Sequence, residues 1–414
     1  MSLSKPVRRS VFDSFDSAQD STRHHFYMKN ILLVIAIIVA ANANAQHYKK
    51  LHFKSVLVDT HNDVLSTVID KKLSMDDDLK GKTNSDIKRF KEGGVDVQLF
   101  SVWCDGLQKN PFAWANREMD TLMAVVKRNP DKIVMVGNPE ELKKAVKEKK
   151  LAAMFGVEGG HMIENDISKL DSLYKRGTRY MTITWNNSTD WATSATDETT
   201  KADSLKHKGL TDFGRQVIKR MNDLGMMVDL SHVGEQTFWD AIKTTTKPVL
   251  VSHSNCYALC PFRRNLKDDQ IMAVGKNGGV IHLNFFSGFI DSNYFKRDSI
   301  FNAKHKAERD SLLKVNPEPY WSDNYLFEKY KDEVQAMRPS IGMLIDHLDH
   351  IVKLIGVDHV GMGSDFDGVN SLPLQLDDVT AYPLITEELV KRGYTDKDIK
   401  KILGGNFIRL FESQ

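Results

Sequence analysis

The chain has 414 residues, 41% of them hydrophobic, and a formal net charge of +2. That length and apolar content support a large core, as one α/β barrel with insertions or as two domains. The near balance of charge gives no reason to expect nucleic acid or an anionic membrane as the main partner.

In chain order, residues 1–27 are polar and without a hydrophobic period. Met28-Lys29-Asn30 then opens an apolar run, Ile31 to Ala41, followed by Asn42-Ala43-Asn44-Ala45. That is the layout of a secretory signal peptide, with the true start at Met28 and cleavage after Ala45. The run is short for a bilayer-spanning helix, and the alternative to cleavage is an uncleaved N-terminal anchor. The expectation is a secreted or periplasmic protein whose mature chain, residues 46–414, carries no membrane span. Its C-terminal end, Asn406 to Gln414, is amphipathic rather than lipid-anchoring.

From Val56 onward, short apolar runs alternate with amphipathic segments. The runs are Val56–Asp59, Asp96–Ser101, Leu151–Val157, Tyr180–Thr184, Met226–Leu230, Pro248–Ser252, Gly279–Phe285 and His359–Ser364. They are rich in Val, Ile, Leu, Met and Phe and show little alternation, as strands buried on both faces do. Helical patterns cover Ala115–Arg128, Pro139–Lys149, Ile167–Arg176, Thr211–Leu224, Glu235–Thr244, Lys267–Lys276, Gly342–Ile355, Leu384–Lys391 and Asp396–Phe411. Eight strands with helices between them predict an α/β fold, a (β/α)8 barrel of TIM type in a single domain. No Gly-x-Gly-x-x-Gly follows the first run, which weakens a dinucleotide-binding alternative.

Residues 291–339 break the rhythm. They are highly charged, with Tyr294, Tyr320, Trp321, Tyr325 and Tyr330 among the charges. The stretch predicts a helical insertion before the last strand. It either walls a substrate pocket or forms a solvated excursion or oligomer contact. The three cysteines, Cys104, Cys256 and Cys260, have the wrong parity for a disulfide framework. Cys256 and Cys260 either pair in an oxidising compartment or stay as buried thiols.

An α/β barrel carries its active site at the carboxyl ends of its strands. The residues directly after the runs are unusually rich in metal ligands: His61 and Asp63 after the first, Glu158 after the third, His232 after the fifth, His253 after the sixth and Asp365 after the eighth. Residues i and i+2 of an extended chain point the same way, so His61 and Asp63 can reach one ion together. Imidazole and carboxylate are the ligands of catalytic zinc. Three histidines and three carboxylates exceed what one such ion takes. They suit two ions about 3.5–4 Å apart, bridged by a carboxylate and a water or hydroxide, with one carboxylate left as general base and acid.

These stretches, with Val58-Asp59-Thr60-His61-Asn62-Asp63, Gly156-Val157-Glu158-Gly159-Gly160-His161, Arg179-Tyr180-Met181-Thr182-Ile183-Thr184, Asp229-Leu230-Ser231-His232-Val233, Ser252-His253-Ser254, Arg263-Arg264-Asn265 and Gly363-Ser364-Asp365-Phe366-Asp367-Gly368, resemble the membrane (renal) dipeptidase family over residues 52–412. The resemblance implies a zinc dipeptidase acting on dipeptides, including those that end in a D-residue. It implies that His61, Asp63 and Glu158 hold one Zn2+, and that Glu158, His232 and His253 hold the other. Asp365 would take a proton from the bridging hydroxide's parent water and pass it to the leaving amine. Arg264 would bind the substrate's free carboxylate, a task suited to a planar fork of donors. A homodimer is also implied.

One position departs from the mammalian pattern, which places a His after the Thr-x-Thr of strand four. Here Trp185 stands there, followed by Asn186 and Asn187. Either the Trp185 N–H or an Asn amide serves the substrate in its place, or Trp185 packs the barrel mouth. Asp367 is expected to cap the next helix, and His161 and His282 to support or pack. The mammalian cysteine pairs and lipid anchor have no counterparts. Two alternatives stay open: another amidohydrolase-type reaction on a lactone, phosphotriester or cyclic amide, and a binding protein on a degenerate barrel.

Overall fold

Alternating apolar runs of the observed length have one way to bury both faces, which is a parallel sheet wrapped by helices. The computed structural model describes residues 46–317 and 319–414, without the side chains of residues 319–321. The expected leader and signal peptide, and the Tyr320 and Trp321 side chains, lie outside the described residues. Residues 46–50 are helical and fall in a separate unit from residues 51–414, which form the barrel.

The described residues form nine strands: β1 (Val58–Asn62), β2 (Val97–Trp103), β3 (Ile133–Met135), β4 (Leu151–Glu158), β5 (Thr178–Thr182), β6 (Met227–Asp229), β7 (Leu250–Val251), β8 (Val280–Leu283) and β9 (Val360–Met362). All pair in parallel, in the order β2-β1-β9-β8-β7-β6-β5-β4-β3, and a β2–β4 pairing closes the ring. Eight strands therefore make the barrel, one from each expected run. The ninth, β3, flanks the start of β4 with Ile133 opposite Leu151. Three residues give too short a pattern to stand out in the sequence.

Side-chain alternation splits the core into two layers. On β4, Ala152 and Met154 join an inner cluster with Val58, Val97, Leu99, Tyr180, Met227, Leu250 and Val280. Ala153, Phe155 and Val157 face the larger outer cluster between strands and helices. Phe407, Leu410 and Phe411, from the last helix, join the inner cluster. Helix bounds follow local chemistry. Asp212–Leu224 starts where the Thr211 hydroxyl accepts the Gly214 N–H, and ends at Gly225 with φ +72°. Thr211→Ala is expected to cost about 1 kcal/mol of stability, measured by chemical denaturation.

The charged stretch 291–339 carries four helices among its described residues, Tyr294–Lys304, Lys306–Val315, Pro319–Lys329 and Lys331–Met337. Tyr294, Phe301, Leu326, Phe327, Val334 and Met337 give it a small core of its own. The cysteine alternatives resolve to free thiols. Cys256 donates to the His347 carbonyl (3.3 Å) and Cys260 to the Gly288 carbonyl (3.4 Å).

Candidate active site

Six strand-end side chains converge at one mouth of the barrel. His61 lies in β1, Asp63 just past it, and Glu158 ends β4. His232, His253 and Asp365 follow β6, β7 and β9 by two or three residues. All six are at most 9% exposed. His232 and Asp365 adopt left-handed backbone, φ +65° and +62°, which turns each side chain inward at some cost in strain.

Glu158 divides the cluster. Its Oε2 lies 3.5 Å from His61 Nε2, and its Oε1 lies 2.8 Å from His232 Nε2 and 3.5 Å from His253 Nε2. Asp63 Oδ2 is 3.4 Å and Asp365 Oδ1 4.0 Å from His61 Nε2. Two sets, His61 with Glu158 and His253, and His61 with Asp63 and Asp365, each bring their ligand atoms within 4.8 Å of one another.

The residues around the histidines decide which nitrogen keeps a lone pair. Tyr180 donates its one O–H to the Thr60 carbonyl (3.0 Å), so its oxygen accepts from His61 Nδ1 (2.8 Å). Ser252 donates to Asp229 Oδ2 (2.6 Å), so its oxygen accepts from His253 Nδ1 (2.8 Å). Asn186 Oδ1 faces His232 Nδ1 at 3.2 Å. Each imidazole thus commits Nδ1 to an outer partner and turns Nε2 to the centre, the orientation that outer partners enforce on metal-binding histidines. His232 Nε2 and His253 Nε2 then face each other at 3.0 Å, lone pair to lone pair. His61 Nε2 and Asp63 Oδ2 are buried without a hydrogen-bond partner. Burial pulls the His232 pKa down to about 4, which keeps it neutral, and lowers that of His253. Burial also opposes charge on His61, but Tyr180, Asp63 and Glu158 outweigh it and drive its pKa up. Facing lone pairs, orphaned acceptors and a surplus of carboxylate are all relieved by cations, so the donor set fits metal ions.

The family model of membrane dipeptidases, peptidase family M19, matches residues 45–414. The chain belongs to this family. It is a metallo-dipeptidase, and its chemistry uses metal ions. Its fold is similar to that of the probable dipeptidase PvdM from Pseudomonas aeruginosa, at 24% identity and TM-score 0.73, covering 90% of this chain and 98% of that one. It is also similar to a metallopeptidase from Rhodobacter sphaeroides bound to a phosphinate mimic of the dipeptide L-Ala-D-Ala, at 22% identity and TM-score 0.69, covering 87% and 99%. An amidohydrolase from Pseudomonas aeruginosa matches at 19% identity and TM-score 0.67, covering 88% and 98%.

Beside the candidate metal-binding cluster of this dipeptidase lies a cavity of 340 Å3, lined by His232 and Arg264 among others. Arg264 is buried, and burial pulls its pKa down to about 10. Two of its nitrogens bond Ser254 Oγ (3.2 Å) and the His253 carbonyl (3.3 Å), while Nε has no partner. Trp185 sits edge-on to Trp103 at 5.2 Å and tilted to His232 at 6.4 Å. It therefore packs the mouth beside His232, and Asn186 next to it orients that histidine.

Asp367 departs from expectation. It caps no helix: its carboxylate accepts the Asn84 N–H (2.8 Å) and the Ser85 hydroxyl (3.2 Å). Its φ of +66° turns it toward that loop instead. His161 bonds the Cys104 carbonyl (3.2 Å), and His282 is buried against Phe407, both as supports. Nothing local marks the supporting roles of Tyr180, Asn186 and Asn284, which hold His61, His232 and Asp365 in place, or of Asp229, which holds His253 through Ser252.

Two glycines make the centre possible. A Cβ on Gly156 would fall inside the Tyr180 ring, 1.9 Å from its Cζ. A Cβ on Gly368 would lie 2.3 Å from Asp63 Oδ2 and 2.4 Å from Asp365 Oδ1. Gly368→Ala is expected to push these carboxylates apart and lower kcat/KM about 100-fold, since a displacement near 1 Å suffices for that. Tyr180→Phe removes the acceptor for His61 Nδ1 and the hydroxyl's bond to the Thr60 carbonyl. Metal affinity is expected to fall about 10- to 100-fold by competition with a chelator, with the fold intact by circular dichroism.

Proposed function

We propose that this chain is a dinuclear zinc dipeptidase that cleaves dipeptides with a free C-terminal carboxylate, including those ending in a D-residue. The observation that carries this reading is Glu158, whose two oxygens face two different ligand groups. His61, Asp63 and Glu158 would hold one zinc, and Glu158, His232 and His253 the other. When bound, the two ions supply Lewis acidity toward the peptide carbonyl and an ionised water near neutral pH.

The protein's own residues do the rest. Arg264 Nε, buried and unpartnered at the cavity, would bind the substrate carboxylate and fix the position of the scissile bond. Asp365 would take a proton at Oδ1 and deliver it to the leaving amine. Asn284 Nδ2 donates to the other oxygen, Oδ2, at 2.7 Å and so leaves Oδ1 facing the cluster. The L-Ala-D-Ala mimic bound to the Rhodobacter enzyme supports acceptance of a D-residue. Export through a signal peptide cleaved after Ala45, and homodimerisation, belong to the same proposal.

A buried arginine at the cavity separates this reading from lactone or cyclic-amide hydrolysis, whose substrates carry no carboxylate to clamp. Dipeptides are compared with their C-terminal amides. Loss of the carboxylate is expected to lower kcat/KM by about 100-fold or more, as a buried charge pair left half-formed would. Equal turnover of acid and amide would overturn the assignment of Arg264.

A further inference from the structure

The cavity beside the metal-binding cluster carries more positive charge than one substrate carboxylate uses. Its charged lining is Lys208, Arg263, Arg264 and Lys267 against Glu198 and Glu235. Lys267 pairs with Glu235 at 2.7 Å, and Lys208 lies 3.9 Å from Glu198. Arg264 awaits the α-carboxylate. Arg263 is exposed at the rim and has no carboxylate partner among the described residues.

Arg263 is nevertheless held in place. Its guanidinium lies over the Phe262 ring, 4.8 Å from the centroid. Phe262 is in turn stacked with Phe289 at 5.2 Å and with Phe295 at 4.9 Å. Phe289 also underlies the Arg264 guanidinium at 5.4 Å. Phe295 comes from the first helix of the insertion, so the insertion buttresses the wall that positions both arginines. A guanidinium preorganised on a ring loses little freedom when it forms a bidentate pair with a carboxylate.

We propose that Arg263 is a specificity-determining residue, selecting dipeptides whose C-terminal residue bears a second carboxylate on its side chain. The two guanidiniums are adjacent in the chain and line one cavity, so they would take the two carboxylates of one acidic residue. This rests on the assignment of Arg264 to the α-carboxylate.

The test uses isosteric pairs on the metal-loaded enzyme: Ala-Asp against Ala-Asn and Ala-Glu against Ala-Gln, with L- and D-residues at the second position. The acid is expected to exceed its amide in kcat/KM by about tenfold or more, because charge-assisted bonds are about twice as strong as neutral ones. The ratio should shrink with added salt, since Arg263 is exposed. It should fall close to one in Arg263→Gln and be partly kept in Arg263→Lys. A wild-type ratio at or below one in both stereochemical series would overturn the proposal, as would an undiminished ratio in Arg263→Gln. Failure of the Arg264 clamp would show elsewhere, as equal cleavage of C-terminal acids and amides.

Discussion

Glu158→Gln is expected to abolish dipeptide hydrolysis, lowering kcat/KM by at least about 10,000-fold. Glu158 faces both halves of the ligand cluster through different oxygens, Oε2 toward His61 and Oε1 toward His232 and His253. The amide keeps the shape but removes the charge, and its nitrogen would present a donor to one site. Neither half would then retain a full set of anionic and neutral ligands. A 10,000-fold drop corresponds to about 5–6 kcal/mol of lost carbonyl polarisation, at about 1.4 kcal/mol per tenfold in rate. Metal content after dialysis should fall with the activity. The substitution is buried at 4% exposure, so thermal unfolding with excess metal serves as the control for folding.

Asp365→Asn should separate acid–base work from metal binding. Asp365 lies at the edge of the cluster, 4.0 Å from His61 Nε2, and accepts from Asn284 at 2.7 Å. Burial pushes its pKa up to about 8, and Asp63 and Glu158 add to the effect while His61 opposes it. An asparagine can keep the bond to Asn284 through its oxygen but cannot carry a proton. A loss of about 100- to 10,000-fold in kcat is expected, the usual worth of a positioned general acid–base group. Metal content should stay at the wild-type level. A variant that loses metal in proportion to rate would instead make Asp365 a ligand.

Much of this centre was legible in the sequence because barrel topology converts chain order into location. His61, Asp63, Glu158, His232, His253 and Asp365 each follow a short apolar run, and a closed parallel sheet brings all such ends to one mouth. What lay hidden depends on register rather than order. Tyr180 sits inside β5 and reads as one more core residue, yet its hydroxyl meets His61, 119 positions away. Asp229 ends β6 and is fully buried, but it anchors Ser252 and Thr182 on the neighbouring strands. Asp367 was misread because an aspartate near a loop end is a good helix cap by local rules. Its left-handed backbone instead aims it at a loop 283 positions earlier. The missing His after strand five was visible as Trp185. That Asn186 would steady His232 was not, because an exposed-looking Asn pair carries no local signal.

The proposed function requires two metal ions shared through Glu158. The direct measurement is a titration of the metal-depleted protein with Zn2+, following bound metal by elemental analysis and dipeptide turnover together. Activity is expected to rise until about two ions are bound per chain and then level off, with Glu158→Gln binding neither ion tightly. Full activity at one ion per chain, or a Glu158→Gln variant that keeps both ions, would contradict it.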